Sequence, residues 1–330
     1  MKSQIVCKFG GTSVANAAQI NKVKDIILQN KERQYVVVSA PGKDSSDTEK
    51  LTDHLINIAT DGRHFRSQSK EIDAQKSYKH VIEKFQRLIA DLGIEGKDII
   101  KNLEKDIKKP IPEGKKKDFL ASRGERYNAE IVCRYFNKQG ILSELVLPED
   151  MGLVVSEIFS NASVIPVSYR NIREKLSTVE GVSVIPGFYG MTAKGDVAVF
   201  SRGGSDLTGG GIAYAIEAAL YENWTDTDGI YQVDPRLIPE AKVIPRLTYK
   251  EIRLLSSKGF DVFHYDAMVN CKKRNIPIKI RNTNNLASEG TLIVSERVPE
   301  EVVVGIARKD NIAYLYIERD GAGESISFVH

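Results

Sequence analysis

The segment CKFGGTSV, residues 7–14, decides how the first part of the chain is interpreted. The apolar run IVC, residues 5–7, leads into this segment and is followed by a lysine, Lys8, and then by two glycines, Gly10 and Gly11. A lysine is a poor core residue, and paired glycines cost chain entropy and leave the backbone uncovered. We therefore expect a ligand to approach the backbone at this point, with Lys8 supplying positive charge.

A strand–helix–strand unit surrounds this segment. Short β-branched runs at residues 5–9 and 35–39 predict strands, and the apolar residues between them recur at helical spacing, at Ala17, Ile20, Val23 and Ile27. Such a unit requires parallel strands with a covering helix, which predicts an α/β fold. Further elements are expected as strands at residues 141–147, 182–186, 197–200, 221–225 and 276–281, and as helices at 210–220 and over 50–103 with a break near Gly62.

The composition excludes several classes of protein. The 330 residues carry a formal net charge of +3, which is too small to indicate nucleic-acid binding. The lysine-rich stretch 96–118 alternates its charges at helical spacing, which favours a solvated helix and loop over a nucleic-acid surface. No stretch is apolar and long enough to span a membrane, and the five histidines lack metal-ligand spacing. Cys7, Cys133 and Cys271 lie far apart in the sequence, which predicts reduced thiols in a cytoplasmic protein.

Two glycine loops remain as candidates for a functional site. The chain has no P-loop, no GxGxxG opening a helix and no protein kinase motif. The loops are KFGGTS at residues 8–13 and SRGGSDLTGGG at 201–211, and each follows a predicted strand and leads into a helix, whose N-terminus favours anions. A simple turn would explain either loop alone. Together, with Lys8 in one loop and Arg202 and Asp206 in the other, they predict phosphate binding, because phosphoryl transfer requires mainly positioning and charge stabilisation.

Four motifs in order resemble the aspartokinases, of the amino-acid kinase superfamily. They are KFGGTSV, SRGE at residues 122–125, SRGGSD at 201–206 and WTDTDGIYQVDPR at 224–236. The resemblance implies a three-layer α/β/α sandwich around one mainly parallel sheet. It also implies ATP-dependent phosphorylation of the side-chain carboxylate of L-aspartate to 4-phospho-L-aspartate, the first step of lysine, threonine and methionine biosynthesis. The alternatives are another carboxylate or amino-acid kinase of the superfamily and a non-catalytic nucleotide-binding regulator.

The resemblance implies roles for individual residues. Lys8 would contact the transferred phosphate and Asp206 would orient that lysine, so both would be catalytic. Aspartate would be held through its ammonium by Glu125 and through its α-carboxylate by Arg202, with further contacts from Ser39 and Thr52. The residues implied for ATP are Lys8, Gly10, Gly11, Gly203, Gly204, Thr225, Asp226, Tyr231, Arg236 and Lys258. Magnesium would be carried on the ATP phosphates without a protein side chain as ligand, and the family habit is a homodimer.

The resemblance also divides the chain and marks two departures. Residues 1–297 would form the catalytic domain, with aspartate bound by 1–200 and ATP by 201–297, and residues 298–330 would be a truncated ACT-like segment. Arg123 stands where the family often has histidine, and Asp261 stands where many members have a lysine that reaches the phosphates. We expect Lys258 to replace that lysine, because residues three apart share a helix face. The alternative is that Lys258 is a surface residue and Lys8 works alone.

Overall fold

The structure, a computed structural model, describes residues 4–45, 47–201, 203–257, 265–298, 303–306, 314–317 and 326–329. The strands of these residues are β1 (Ile5–Phe9), β2 (Arg33–Val38), β3 (Ser143–Leu145), β4 (Val154–Val155), β5 (Val182–Pro186), β6 (Tyr189–Thr192), β7 (Val197–Val199), β8 (Leu220–Thr225), β9 (Arg246–Thr248), β10 (Ile278–Asn282), β11 (Thr291–Val294), β12 (Tyr314–Ile317) and β13 (Ile326–Val329). The helices are α1 (Ala17–Leu28), α2 (Leu51–Ala59), α3 (Arg63–Arg66), α4 (Ala74–Leu92), α5 (Lys97–Lys108), α6 (Glu113–Ala121), α7 (Arg123–Lys138), α8 (Val167–Leu176), α9 (Gly204–Ile216), α10 (Tyr249–Ser257) and α11 (Tyr265–Lys273).

Eight strands form the central sheet, in the order β3-β5-β2-β1-β8-β10-β11-β9. Every neighbouring pair in it is parallel except β10 and β11, which are antiparallel. The middle strand β1 pairs with β2 on one side and with β8 on the other. Strands from both sides of residue 200 therefore build one sheet, and the predicted mainly parallel sheet is confirmed.

Helices cover both faces of this sheet, because β1 alternates its side chains between two cores. Ile5, Cys7 and Phe9 belong to a core that includes residues of α1, α2 and α4 to α7. Val6 belongs to a second core, which includes residues of α8 to α11. This arrangement is the three-layer α/β/α sandwich that the sequence predicts. None of the described helices is both long and apolar enough to cross a membrane.

A buried ion pair links β2 to β8 across the central strand β1. The Nε of Arg33 on β2 lies 2.8 Å from Oε2 of Glu222 on β8, and Nη2 lies 3.1 Å from Oε1. The indole Nε1 of Trp224 donates to the same carboxylate at 3.0 Å. Cys7 of β1 lies between the two strands, and burial, together with the Glu222 charge, raises the pKa of its thiol. The pair thus ties β2 and β8 together across β1.

A smaller sheet leads into the second glycine loop. It has the order β4-β6-β7, and β7 ends two residues before Ser201. In the tail, β12 and β13 form an antiparallel pair. This pair alone does not test the predicted ACT-like segment, which remains a prediction.

The predicted helix over residues 210–220 is wrong at both ends. Helix α9 runs from Gly204 to Ile216, so it both begins and ends earlier than predicted, whereas the strand predicted over 221–225 is present as β8. The later glycines of the second glycine loop therefore lie inside a helix and not in a turn. A Cβ on Gly210 would lie 2.3 Å from the carbonyl oxygen of Ala267 in α11, and one on Gly209 would lie 2.7 Å from the Tyr221 hydroxyl. These glycines allow α9 to pack closely against its neighbours.

The other predicted elements agree more closely with the structure. β1 and β5 have the predicted bounds, and the helical region 50–103 consists of α2, α3, α4 and the first part of α5. The predicted break near Gly62 is present, since this glycine has a φ of 84°. All three cysteines are free and buried.

Candidate active site

One cavity of about 520 Å³ collects most of the residues predicted for the acceptor and the transferred phosphate. It lies beside the carboxyl ends of β1 and β2 and the N-terminus of α9, where open α/β sheets bind ligands. The predicted residues that line it are Lys8, Ser39, Thr52, Glu125, Gly203, Gly204 and Asp206. Five separate segments of the chain therefore converge on this cavity.

Lys8 and Asp206 form an ion pair inside this cavity. Lys8 lies near the end of β1, and Asp206 lies in the first turn of α9, with 2.5 Å between Nζ and Oδ1. Only 11% and 12% of the two side chains are exposed, so the pair is shielded from solvent. Asn223 of β8 also donates to Oδ1 of Asp206, at 2.9 Å. The carboxylate therefore fixes the position of the lysine ammonium, as the sequence comparison implies.

Glu125 presents a buried carboxyl group, one oxygen of which can still accept a hydrogen bond. It lies in the first turn of α7 and is 5% exposed. Burial raises its pKa to about 8, although the backbone amides of Ala40 and of Glu125 itself oppose this rise. Among the described residues, its buried Oε2 has no hydrogen-bond partner. A buried acceptor without a partner is costly, so this carboxyl group is suited to receive a cationic donor from a ligand.

The N-terminus of α9 supplies a second binding feature. Gly203 caps the helix with a φ of 75°, a conformation that L side chains rarely adopt. A Cβ on Gly204 would lie 2.6 Å from the Phe188 ring, so this position also requires glycine. Both glycines line the cavity, and the amide groups and dipole of a helix N-terminus favour an anion there.

The first glycine loop is built differently from the sequence expectation. The N–H of Gly10 donates to the carbonyl of Trp224 at 3.0 Å, so in this structure it is not available to a phosphate, and the expectation for Gly10 is corrected. Gly42 donates to the carbonyl of Gly11 at 2.8 Å. A Cβ on Gly11 would lie 3.2 Å from the carbonyl oxygen of Ala40. The glycines thus permit two loops to cross closely, while a phosphate contact from Gly11 remains a prediction.

Asp118 is a residue of the cavity that the sequence did not reveal. Its carboxylate accepts hydrogen bonds from the backbone N–H of Ser160 at 2.6 Å, the Ser160 hydroxyl at 2.8 Å and the N–H of Val199 at 2.9 Å. The first two partners lie 42 residues away and the third lies 81 residues away. Asp118 therefore joins α6 to the strand that leads into the second glycine loop, and no local motif could have indicated this.

The residues predicted for the rest of the nucleotide do not line this cavity. The Thr225 hydroxyl donates to Asp226 at 3.2 Å, and Arg236 pairs with Asp234 at 2.7 Å with 87% of its side chain exposed. Partial burial and the neighbouring Asp228 raise the pKa of Tyr231. These side chains lie outside the cavity, and all of them are at least partly exposed.

Hydrogen bonds attach the loop after β8 to the loop after β10. Asp228 accepts from Asn282 at 2.7 Å and from Asn285 at 3.0 Å. The Thr283 hydroxyl lies 2.7 Å from that of Ser13, the last residue of the first glycine loop. The predicted site residues Arg202 and Lys258, and the unusual Asp261, lie outside the described residues.

Comparisons with known sequences agree on one family. The profile of the amino acid kinase family matches residues 3–282. Aspartokinase 3 of Bacillus subtilis (strain 168) is 38% identical over 330 residues, which cover 98% of this chain and 71% of that protein. Aspartokinase 1, chloroplastic, of Arabidopsis thaliana is 28% identical over 326 residues, which cover 94% of this chain and 56% of that protein.

Solved structures show the same similarity. The crystal structure of Clostridium acetobutylicum aspartate kinase superposes with a TM-score of 0.78 at 35% identity, over 92% of this chain and 66% of that chain. E. coli aspartokinase III, solved in complex with aspartate and ADP, gives a TM-score of 0.75 at 21% identity, over 95% of this chain and 68% of that chain, and shows the shared fold. The chain thus spans between 56% and 71% of the length of these relatives.

Proposed function

The chain belongs to the amino acid kinase family and, within it, to the aspartokinases, and from this premise we propose that it transfers the γ-phosphoryl group of ATP to the side-chain carboxylate of L-aspartate. The products are ADP and 4-phospho-L-aspartate. The observation that carries the proposal is the pairing, in one cavity, of the Lys8–Asp206 ion pair with the open carboxyl group of Glu125. One group suits a phosphate and the other suits a free amine.

Glu125 selects the acceptor. The α-ammonium of aspartate donates to Oε2 of Glu125, and its positive charge returns the pKa of this carboxyl group toward its ordinary value. An acceptor with a blocked amine brings no such charge, so Glu125 disfavours those carboxylate kinases of the superfamily that use one. Ser39 and Thr52 lie in the same cavity and contact the acceptor, and Arg202 takes its α-carboxylate.

Lys8 stabilises the transferred group. An oxygen of the aspartate side chain forms a bond to the γ-phosphorus while the bond from that phosphorus to the β,γ-bridging oxygen breaks, and ADP leaves with that oxygen. Negative charge spreads over the equatorial oxygens of the phosphoryl group during this step. The Lys8 ammonium, held by Asp206, and the N-terminus of α9 at Gly203 and Gly204 lie where they can compensate that charge.

Magnesium enters this scheme on the nucleotide. Four carboxyl groups line the cavity: Asp206 is paired with Lys8, Asp118 accepts three hydrogen bonds, Asp53 lies 3.5 Å from the imidazole of His64, and Glu125 is assigned to the acceptor ammonium. The donor set therefore fits a nucleotide that brings the ion on its own phosphates, where the metal neutralises charge on the β- and γ-oxygens. Thr225, Asp226, Tyr231 and Arg236 bind the remainder of ATP. A homodimer and a cytoplasmic location belong to the same proposal.

A coupled ADP-release assay with a panel of amino acids tests this function. We expect turnover with L-aspartate and magnesium, and an acyl phosphate that hydroxylamine traps as the hydroxamate. N-Acetylglutamate serves as the blocked-amine control and should give no turnover. Equal turnover with N-acetylglutamate, or none with aspartate, would contradict the proposal.

A further inference from the structure

A second cavity lies away from the candidate active site and is rich in cationic side chains. It has a volume of about 680 Å³, within the range of small-molecule sites. We call it the basic basin, and its cationic lining consists of Lys105, Lys108, Lys109, Arg123 and Arg126. Two features of the sequence that the proposed function leaves unused, the lysine-rich stretch and the unusual Arg123, therefore meet in one place.

The charges of the basic basin are only partly compensated. Its acidic lining consists of Asp106 and Glu149. Within the described part of the chain, Lys105 and Lys108 have no ion pair, and Lys109 has only a contact with the Phe119 ring, 5.2 Å from its centroid. A helix C-terminus stabilises nearby lysines to a small extent, but this does not explain why they share a concave wall with the buried guanidinium of Arg123 and with Arg126, which pairs with Glu130 at 3.0 Å.

Arg123 forms the floor of the basin. It is 7% exposed, and its guanidinium lies 4.2 Å from the centroid of the Phe119 ring. Nη1 donates to Oδ2 of Asp106 at 2.9 Å, and the same oxygen accepts from the Tyr127 hydroxyl at 2.9 Å. Nη2 donates to the Ser122 hydroxyl at 3.0 Å. Oδ2 of Asp106 thus accepts hydrogen bonds from both Arg123 and Tyr127. A ligand anion can replace Asp106 as the partner of the Arg123 guanidinium, while Asp106 still accepts from Tyr127.

The basin and the candidate active site share one wall, which is the junction of α6 and α7. Asp118, Ala121 and Glu125 line the active-site cavity. Arg123 and Arg126, from the same nine residues (118–126), line the basin. A ligand that contacts Arg123 therefore acts two residues from Glu125, on the opposite side of the same helical turn.

We propose that the basic basin binds a small polyanion through phosphate groups, and that its occupancy changes the affinity of the neighbouring acceptor pocket. Phosphate suits this lining because lysine binds it as a point charge and arginine binds it bidentately. The binding part of the proposal is independent of the enzymatic activity, whereas the effect on the acceptor rests on the proposed function.

Calorimetry with inorganic pyrophosphate tests the binding. The protein is first saturated with aspartate and a non-hydrolysable magnesium ATP analogue, so that the active site is filled. We expect one further site, weakened about tenfold or more in the double variant Lys105→Ala/Lys108→Ala. The matched control is Lys272→Ala/Lys273→Ala, which removes two exposed lysines from the last turn of α11 and should change the affinity by about twofold or less. Citrate, a polycarboxylate of similar charge, should bind more weakly if phosphate is the recognised group.

Two outcomes of that titration would overturn the site. If no binding is detected at about 10 mM pyrophosphate, the basin does not recognise this chemistry. If both double variants weaken binding equally, the anion responds to the overall charge and not to the basin. Tighter binding of citrate than of pyrophosphate would contradict the assignment to phosphate.

Steady-state kinetics test the effect on the acceptor. With free magnesium held constant, pyrophosphate should shift the KM for aspartate by about threefold or more in the unaltered protein, in line with ordinary coupling energies. The shift should disappear in Lys105→Ala/Lys108→Ala, whose KM without pyrophosphate should stay unchanged. An equal shift in this variant would place the effect in the active site and overturn the coupling.

Discussion

The proposed acceptor side, around Lys8 and Glu125, and the proposed nucleotide side, around Arg236, are held in place by different kinds of contact. On the acceptor side, Lys8 and Glu125 are almost fully buried, and Asp118 is fixed by partners 42 and 81 residues away. On the nucleotide side, Arg236 pairs with a residue two positions earlier and is 87% exposed. Long-range contacts within a packed core position side chains before a substrate arrives, whereas a local pair in solvent does not. We therefore expect substitutions on the acceptor side to have the larger effects.

Replacement of Lys8 should give the largest effect. Lys8→Ala should lower kcat by roughly 10² to 10³, because it removes a preorganised charge from the transition state, and should change the KM for aspartate little. The ADP-release assay measures both constants. Lys115→Ala is a suitable control, since it removes another paired lysine near the cavity, with 36% of its side chain exposed, and should retain activity. A large rise in the aspartate KM with normal kcat would show that Lys8 binds the acceptor instead.

The next largest effect should follow from Glu125→Gln. This variant should raise the KM for aspartate by about tenfold or more, equivalent to about 1.4 kcal/mol, because the ammonium loses its charged partner. The amide keeps the shape of the side chain, so kcat should fall less than in Lys8→Ala. If kcat falls and KM stays constant, Glu125 acts in the chemical step and the assigned roles are reversed.

The pH dependence of stability tests the raised pKa of the same carboxyl group and requires no activity assay. Burial raises the pKa of Glu125 to about 8 in the folded protein, against 4.5 as the ordinary value. Between these values the folded state holds a proton that the unfolded state has lost, so Glu125 lowers stability as the pH rises from about 4.5 to about 8. The Tm of the unliganded protein should thus fall more between these limits than that of Glu125→Gln. Parallel curves for the two proteins would refute the raised pKa.

The smallest effect is expected from Arg236→Ala on the nucleotide side. Its ion pair with Asp234 is solvent-exposed, and such pairs contribute little. We expect a rise in the KM for ATP of about threefold or less and an unchanged kcat. Asp234→Asn is the matched control, since it breaks the same pair from the other side. A tenfold or larger rise for Arg236→Ala alone would mean that this loop is organised as firmly as the acceptor side, and the contrast between the two sides would not hold.

The sequence predicted six of the eight strands of the central sheet, because these strands carry local signals, and it missed β11 and β9 at one edge. β1 and β5 are short apolar runs that end at a glycine or a proline, and their bounds agree with the prediction. The start of α9 was missed because a glycine that forms a turn and a glycine that admits a neighbouring helix look alike in a sequence. Only the closeness of Ala267 to Gly210 distinguishes them.

The candidate site was predictable to the extent that its residues belong to recognisable motifs. The resemblance indicated the partnership of Lys8 with Asp206, and the ion pair of the structure agrees with it. The hydrogen bonds of Asp118 and the floor of the basic basin at Arg123 depend on contacts between distant segments. A sequence read alone contains no information on which segments meet, so neither could be foreseen.

The ion pair between Arg33 and Glu222 has a consequence for how the chain is made. Glu222 lies 189 residues after Arg33, and β1 pairs with β8 as well as with β2. At roughly 5–20 residues per second, a ribosome needs about 10–40 s to synthesise that interval. During this time the nascent chain carries an arginine without its carboxylate and a central strand with one open edge. The segments before and after residue 200 therefore complete one sheet together, and we expect the first segment to need protection until β8 has been synthesised.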